Sequence, residues 1–422
     1  MHVLLLGGGG REHAIGWKLT QSPLLKELTS CPGNPGLREL GHIVDDVDIT
    51  DPDAVVELAT RVSADIVVIG PEAPLAAGVA DKLREADIAV FGPGAEGAQL
   101  ESSKTFAKQI MQQAAVPTAA SRTFTDRTSA RQYLAATGGP YVVKADGLAA
   151  GKGVLVTPSL EAASDWVDDC LDGRFAGAGA SVVIEEYMEG DEVSVFYLCS
   201  NGVALPLEPA RDYKRLSDGD VGPNTGGMGA FSPVIDLPED LVGWTTAHVA
   251  VPTLVQLSSM GIEYTGFLYI GLMLTETGPR VVEFNCRLGD PETQVVLPRL
   301  DSDLLHAMSA ATTGTLTDVT LDWSDHATVN VVLAADGYPD SPRKGDEIRI
   351  QDVPTNAIIF HAGTRDTEDR IETSGGRVLN VVGQAGTIGE ARAAAYTAVE
   401  AITFDGKQYR TDIAVLEKGD AQ

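Results

Sequence analysis

Short apolar runs alternate with stretches in which apolar residues recur at helical spacing over the first hundred positions. His2 to Leu6 reads as a strand, Gly7 to Gly10 as a turn and Arg11 to Leu19 as a helix. A helix near Pro52 to Val62, a strand Asp65 to Ile69, a helix Leu75 to Glu85 and a short strand Ile88 to Phe91 follow, ahead of the breaker Gly92-Pro93-Gly94. Continuous apolar strands need cover on both faces, so this alternation predicts an N-terminal doubly wound parallel sheet that closes near residue 100.

From Ser102 the pattern changes. A helix through Gln113 leads to the breaker Pro117, and a helix near Ser129 to Ala136 precedes the strand Tyr141 to Lys144. After a glycine loop come the strand Val154 to Thr157, the helix Leu160 to Leu171 and the strand Ser181 to Glu186, a small α+β unit inserted in a larger one. Phe267 to Leu274 and Arg280 to Asn285, joined around Thr277-Gly278-Pro279, predict a hairpin. Beyond about Asp325, strand-like segments such as Thr328 to Ala334 and Ala357 to Phe360 end in a helix from Ile388 to about Thr403.

With 422 residues the chain exceeds what one hydrophobic core fills, and several domains are expected. Its net charge of −29 argues against nucleic-acid binding, which needs Lys and Arg in excess over a broad surface. Any anionic ligand must therefore meet a local basic cluster. Cys31, Cys170, Cys199 and Cys286 stand singly, which predicts neither a zinc site nor a disulfide framework and fits a reducing cytoplasm. The run Val3 to Leu6 is too short for a signal-peptide core, and no stretch approaches the ~20 apolar residues of a membrane span.

Five segments carry candidate chemistry. Gly7-Gly8-Gly9-Gly10-Arg11-Glu12-His13 follows a strand as a dinucleotide fingerprint would, but Glu12 or His13 occupies the third glycine position, which weakens a nicotinamide reading. The backbone N–H groups of such a turn still make an anion site, the alternative being a tight turn with no ligand. Pro32-Gly33-Asn34-Pro35-Gly36 and Gly70-Pro71-Glu72 sit at the other strand ends of this sheet, where small ligands bind. The run Lys144-Ala145-Asp146-Gly147-Leu148-Ala149-Ala150-Gly151-Lys152-Gly153 is one residue short of a Walker A loop and is followed by a strand. It reads as a glycine flap with Lys152 as countercharge to a triphosphate, or else as a plain hairpin.

At the end of an apolar strand, Glu185-Glu186-Tyr187-Met188 offers backbone groups to an adenine, and Glu192 a carboxylate to a ribose; a solvated acidic edge is the plainer alternative. In Glu283-Phe284-Asn285-Cys286-Arg287 the period of two puts Glu283, Asn285 and Arg287 on one face and turns Val282 and Phe284 into the core. Two oxygen donors suffice for Mg²⁺, which completes its shell with water and phosphate oxygens, and the guanidinium fork suits a carboxylate or phosphoryl group. Gly222-Pro223-Asn224-Thr225-Gly226-Gly227-Met228-Gly229, preceded by Arg211-Asp212-Tyr213-Lys214-Arg215, is a second glycine loop that either approaches a substrate or turns freely.

In this order and composition, together with Gly70-Pro71-Glu72-Ala73-Pro74-Leu75, Leu288-Gly289-Asp290-Pro291-Glu292-Thr293-Gln294 and Phe360-His361-Ala362-Gly363-Thr364, the chain resembles the phosphoribosylamine-glycine ligases (glycinamide ribonucleotide synthetases) of the ATP-grasp superfamily over its whole length. It departs at Leu288, where the family commonly has Phe, and at Arg211, where it often has Gln, which leaves contacts near Asp212 less defined.

The resemblance implies a Rossmann-like domain at 1–101, an ATP-grasp domain at 102–324 with a mobile lid at about 118–190, and a small C-terminal α/β domain at 325–422. It implies ATP as co-substrate on Lys104, Lys144, Gly151, Lys152, Gly153, Glu185, Glu186, Tyr187, Met188 and Glu192, and Mg²⁺ or Mn²⁺ on Glu283 and Asn285. Lys152 and Arg287 would act in catalysis, and Gly10, Arg11, Glu12, Asn34, Glu72, Asp212, Lys214, Arg287 and Asp290 would meet the substrates glycine and 5-phosphoribosylamine. A cytoplasmic monomer with no nucleic-acid or membrane partner is expected. An ATP-grasp ligase for another carboxylate or amine, a nicotinamide oxidoreductase and a non-catalytic interaction protein are the alternatives.

Overall fold

The computed structural model describes residues 1–149, 153–174 and 181–415. Its first sheet is wholly parallel, with strands in the order His42–Ile43, Glu27–Pro32, His2–Gly7, Ile66–Ile69 and Val90–Phe91. Val3 to Leu6 and Ile66 to Val68 have no exposed surface, as strands covered on both faces require. The helix expected over Leu75 to Glu85 is two helices, Glu72–Ala76 and Val79–Glu85. Gly78 between them takes φ +81°, a left-handed conformation that cannot continue a right-handed helix. The second helix is thereby aimed so that Asp81 accepts from the N–H of Ala95 at 2.7 Å.

The inserted unit is a four-stranded antiparallel sheet in the order Ser121–Phe124, Val182–Glu185, Tyr141–Ala145 and Val154–Thr157. Helices Arg127–Thr137 and Leu160–Leu171 close a core of its own, built from Phe124, Leu134, Val143, Val167 and Ile184. Behind it lies the sheet Val203–Pro206, Asp191–Ser200, Gly266–Thr275 and Gly278–Asn285, whose last two strands form the expected hairpin.

The C-terminal sheet runs Arg211–Asp212, Gly229–Ser232, Ala327–Ala334, Arg377–Ala385 and Ala357–His361, with the helix Ile388–Glu400 packed on it. Two of its strands thus come from before residue 325, and the sheet crosses the boundary that the sequence places there. The last helix stops at Glu400, because Ile402–Thr403 pairs as a strand with Arg349–Ile350. Among the described residues no helix is long and apolar enough to cross a membrane.

The N- and C-terminal parts meet where the helix Gly10–Leu19 lies on the strand Ala357–His361. His13 stacks edge-on against Phe360 at 5.3 Å, its Nδ1 accepts from the backbone N–H of His361 at 2.8 Å, and Asn34 Nδ2 donates to the His361 carbonyl at 2.9 Å. Burial, helped by the neighbouring His361, pushes the His13 imidazole down to about 3, and burial pushes His361 down to about 4. The unfolded chain takes up protons on both rings below pH ~6.5 and the folded one does not until near those lower values, so stability present above pH ~6.5 is lost as pH falls. Thermal midpoints should therefore decline steadily from pH 6.5 towards 4, and His13→Gln should flatten that decline. An unaltered slope in the variant would remove His13 from the effect.

Candidate active site

The hairpin strand Gly278–Asn285 does not alternate from end to end. Gly271 pairs with Glu283 while Leu272 pairs with Val281, so Val282 is the extra residue of a β-bulge. Val281 is consequently buried in place of the expected Val282, which is only half-buried; from Glu283 onward the alternation holds, with Phe284, Cys286 and Leu288 inward. The bulge also frees the Val282 carbonyl to accept from Lys144 Nζ at 3.2 Å, which brings a lysine of the inserted unit onto this strand.

Lys144 pairs with Glu185 Oε2 at 2.9 Å, and Lys108 pairs with Glu185 Oε1 at 3.2 Å. Glu185 is therefore no solvated edge: its side chain is 3% exposed, clasped between two lysines. Lys108 was not singled out in the sequence, although it lies one helical turn beyond Lys104 on the helix Lys104–Gln113. Burial and the nearby Lys144 push its ammonium down to about 8, against the pull of Glu185. Lys104 donates to the Gly147 carbonyl at 3.1 Å, and burial lowers it too.

The other predicted nucleotide residues are distributed unevenly. Glu186 faces outward, paired with Arg280 at 2.7 Å and accepting from the N–H of Ala120 at 3.1 Å; Tyr187 is exposed and Met188 buried. Gly153 holds the flap's return strand, its carbonyl accepting from the N–H of Ala145 at 2.8 Å. Gly151 and Lys152 lie outside the described residues.

Glu192 pairs with Lys214, and around that lysine gather Asp212, Glu283 and Tyr269. Burial tends to discharge Lys214, but these carboxylates hold its ammonium well above the ordinary value. The same crowd acts in the opposite sense on Asp212: burial and the neighbouring Glu292, Glu192 and Glu283 push its carboxyl up to about 7 despite Lys214. Glu292 is also raised, mainly by burial, and its Oε1 lies 3.1 Å from the Ser194 hydroxyl. Glu283 behaves differently. Burial opposes its charge, yet Lys214, Lys144, Lys104 and Arg287 together hold its carboxyl below the ordinary range. Arg211, one of the departures from the resembled family, pairs with Asp236 at 2.8 Å and donates from Nε to the Glu192 carbonyl at 3.3 Å.

Among the described residues no group of three or more His, Cys, Asp or Glu side chains is arranged to hold a metal ion. A divalent cation on this face would draw only on Glu283, an anion at neutral pH, and the amide oxygen of Asn285, with water and phosphate oxygens completing the shell. That donor set suits Mg²⁺.

The N-terminal sheet presents a second charged row to the same strand. Arg11 Nε donates to Glu12 Oε1 at 2.6 Å, and its Nη1 donates to the Leu288 carbonyl at 3.2 Å. Glu72 Oε2 stands 3.4 Å from Arg287 Nε and 4.0 Å from Arg11 Nη2, and these cations hold its carboxyl low against burial. Glu12 spends its other oxygen on the N–H of Gly9 at 2.7 Å, and Asn34 caps the helix Pro35–Leu40. Both are braces of the site's wall.

Asp290 accepts from Gln294 at 2.7 Å and pairs with Arg377 at 3.3 Å. Arg377 also donates to the carbonyls of Asp290 and Gly226, while the Gly226 N–H donates to Tyr338 Oη at 2.9 Å. A Cβ on Gly226 would stand 2.9 Å from the Arg377 guanidinium carbon, so a side chain there would displace the guanidinium from this position. Arg377 and Tyr338 thus pin the second glycine loop from the C-terminal domain, a role its composition did not reveal. Gly10 packs more tightly still, a Cβ there standing 2.3 Å from Asn380 Nδ2.

Residues 1–101 match the N domain of phosphoribosylglycinamide synthetase, residues 102–293 its ATP-grasp (A) domain and residues 328–416 its C domain. The phosphoribosylamine-glycine ligase of Rhizobium meliloti is 47% identical over 414 residues, 98% of each chain. The chain belongs to the phosphoribosylglycinamide synthetase family. The crystal structure of phosphoribosylamine-glycine ligase from Thermotoga maritima agrees with a TM-score of 0.86 at 37% identity, covering 98% of this chain and all 100% of that one. The biotin carboxylase domain of 2-oxoglutarate carboxylase from Hydrogenobacter thermophilus, solved with MgADP, ADP and bicarbonate, gives 0.73 at 15% identity over 97% of this chain and 91% of that one, a likeness of fold. Members of the phosphoribosylglycinamide synthetase family are carboxylate-amine ligases of the ATP-grasp type, and so is this chain; ATP-grasp enzymes work with ATP and divalent metal ions.

Proposed function

We propose that the chain joins glycine to 5-phosphoribosylamine with cleavage of ATP, giving glycinamide ribonucleotide, ADP and phosphate through a glycyl phosphate intermediate, as a step of de novo purine biosynthesis. The observation that carries this reading is the gathering of Lys104, Lys144 and Lys214 around Glu283, on the face that also bears Asn285 and Arg287. In a chain of net charge −29, that is a local basic cluster fit for a triphosphate.

A carboxylate resists attack by an amine, because its negative charge repels the nucleophile and oxide is no leaving group. One glycine carboxylate oxygen attacks the γ-phosphorus, the bond to the bridging oxygen breaks and ADP leaves. The amine nitrogen of 5-phosphoribosylamine then attacks the acyl carbon, and phosphate departs with that carboxylate oxygen as the nitrogen gives up a proton. The chain's part is positioning and charge stabilisation. Lys104 and Lys144 serve the phosphates, and Gly151, Lys152 and Gly153 of the glycine run are assigned to them by their sequence. Glu185 to Met188 line the adenine, Glu192 the ribose. Arg287 faces the carboxylate and the acyl phosphate, while Arg11, Glu72, Asp212, Lys214 and Asp290 surround the substrates. Glu283 and Asn285 would hold Mg²⁺ or Mn²⁺, which when bound offsets charge on the phosphate oxygens. The protein acts as a cytoplasmic monomer with domains at 1–101, 102–324 and 325–422.

ADP release should require Mg-ATP, glycine and 5-phosphoribosylamine together, and glycine labelled with ¹⁸O in its carboxylate should pass one label to inorganic phosphate. Unlabelled phosphate would eliminate glycyl phosphate. Release with a different acid or amine would keep the ligase chemistry and overturn the substrates.

A further inference from the structure

Residues 285, 286 and 287, at and just beyond the end of the site strand, converge on one carboxylate from the N-terminal domain. Glu101 lies in the last turn of the helix Ala95–Ser102, its side chain 8% exposed. Its Oε2 accepts from the backbone N–H of Cys286 at 2.8 Å, and its Oε1 stands 2.8 Å from Arg287 Nη2. With the Asn285 amide turned so that both its atoms find partners, its NH₂ donates to the same Oε1 at 3.1 Å and to the Phe284 carbonyl at 3.2 Å.

We propose that Glu101 is a positioning residue of the ligase site, setting the guanidinium of Arg287 and the amide of Asn285 with one buried carboxylate. The proposal rests on the assignment of Arg287 and Asn285 to that site. Three physical points support it. A carboxylate in the last turn of a helix opposes the macrodipole, where Lys or Arg is favoured, so the helix itself gives no reason for an acid there. A buried carboxylate is tolerated only when paired and hydrogen-bonded, and among the described residues the hydrogen-bond and ion-pair partners of the Glu101 carboxylate are Asn285, Cys286 and Arg287, consecutive at the end of this strand. Finally, the oxygen and nitrogen of an amide point apart, so the bond from the Asn285 NH₂ to Glu101 decides which way its oxygen faces. Glu101 meets Arg287 at Nη2 at 2.8 Å, while the Glu72 carboxylate stands 3.4 Å from Nε as a charge partner, so the shorter contact that orients the guanidinium is the one to Glu101.

The test is Glu101→Gln in the full chain. The replacement has the same shape but brings an NH₂ against donors on residues 285 to 287. Affinity for a non-hydrolysable ATP analogue, read by fluorescence, should change less than ~2-fold, while Mn²⁺ affinity of that complex, read by electron paramagnetic resonance, and kcat should each fall ~10- to 100-fold, as when the support of a metal ligand is removed. In an Arg287→Lys background the further loss of kcat should be clearly smaller, because two residues acting together are not additive.

Unchanged Mn²⁺ affinity and kcat, or full additivity with Arg287→Lys, overturns the proposal. If Glu101→Gln does not fold, Glu101→Asp is read in the same assays, and failure of both to fold makes Glu101 a residue of the fold alone and equally overturns it. Wild-type turnover in Arg287→Lys and Asn285→Ala would instead overturn the site assignment, which separates the two failures.

Discussion

Glu283→Ala is expected to lower metal-dependent turnover at least ~10²-fold, the usual loss when a preorganised charge stabiliser is removed. Lys214, Lys144, Lys104 and Arg287 hold the half-buried Glu283 as an anion, so the carboxylate is charged before any ligand arrives. Its removal takes away one of the two donors available to a divalent cation. It also takes a shared countercharge from Lys104 and Lys144, whose ammonium groups repel each other. Turnover measured across a range of Mg²⁺ concentrations decides the matter. If higher Mg²⁺ does not restore the rate, the loss lies in charge placement as well as affinity; near-normal turnover at all concentrations would remove Glu283 from the site.

The second large effect falls on stability. Glu185→Ala leaves Lys108 and Lys144 in a buried place without their shared acid, and breaking such a pair by removing one partner costs ~3–5 kcal/mol. Lys108, pushed down to about 8 even with Glu185 beside it, is lowered further once that pull is gone and can shed its proton, so the loss should lie at the lower end and shrink as pH rises towards 8. Glu186→Ala next door provides the contrast. Its pair with Arg280 is partly exposed, and surface pairs contribute ~0–1 kcal/mol. Denaturant unfolding of both variants beside the parent should show a large fall in midpoint for Glu185→Ala and a small one for Glu186→Ala. Equal falls would contradict the burial argument. Added nucleotide should recover more of the loss in the first variant, since phosphate oxygens can take the place of the missing carboxylate and ligand binding stabilises by mass action.

Which parts of this protein were legible in its sequence follows from the range of the forces involved. The strand Val154–Thr157 and the helix Leu160–Leu171 lie where the sequence placed them to the residue, because their signals are local: an apolar run, a breaker at Pro158, and Ser159 capping the N–H of Ala162. The hairpin was legible for the same reason, and so was the face shared by Glu283, Asn285 and Arg287. Helix ends that depend on what the chain does next, at Gly78 and Glu400, were not.

The sequence by itself determined the parallel N-terminal sheet, the inserted α+β unit, the hairpin and the motif order that marks the family. These depend on periodicities and residue types within about ten positions of one another. The tertiary structure alone decided that Val282 is a bulge, that Glu185 is clasped by Lys108 and Lys144, that two strands from before residue 325 complete the C-terminal sheet, and that Glu101 and Arg377 hold the site from outside it. Glu101 and its partner Cys286 are 185 residues apart, and nothing local links them. Burying charge demands a countercharge at ~3 Å, and which segment supplies it is settled by how the layers pack, not by what lies beside it in the chain.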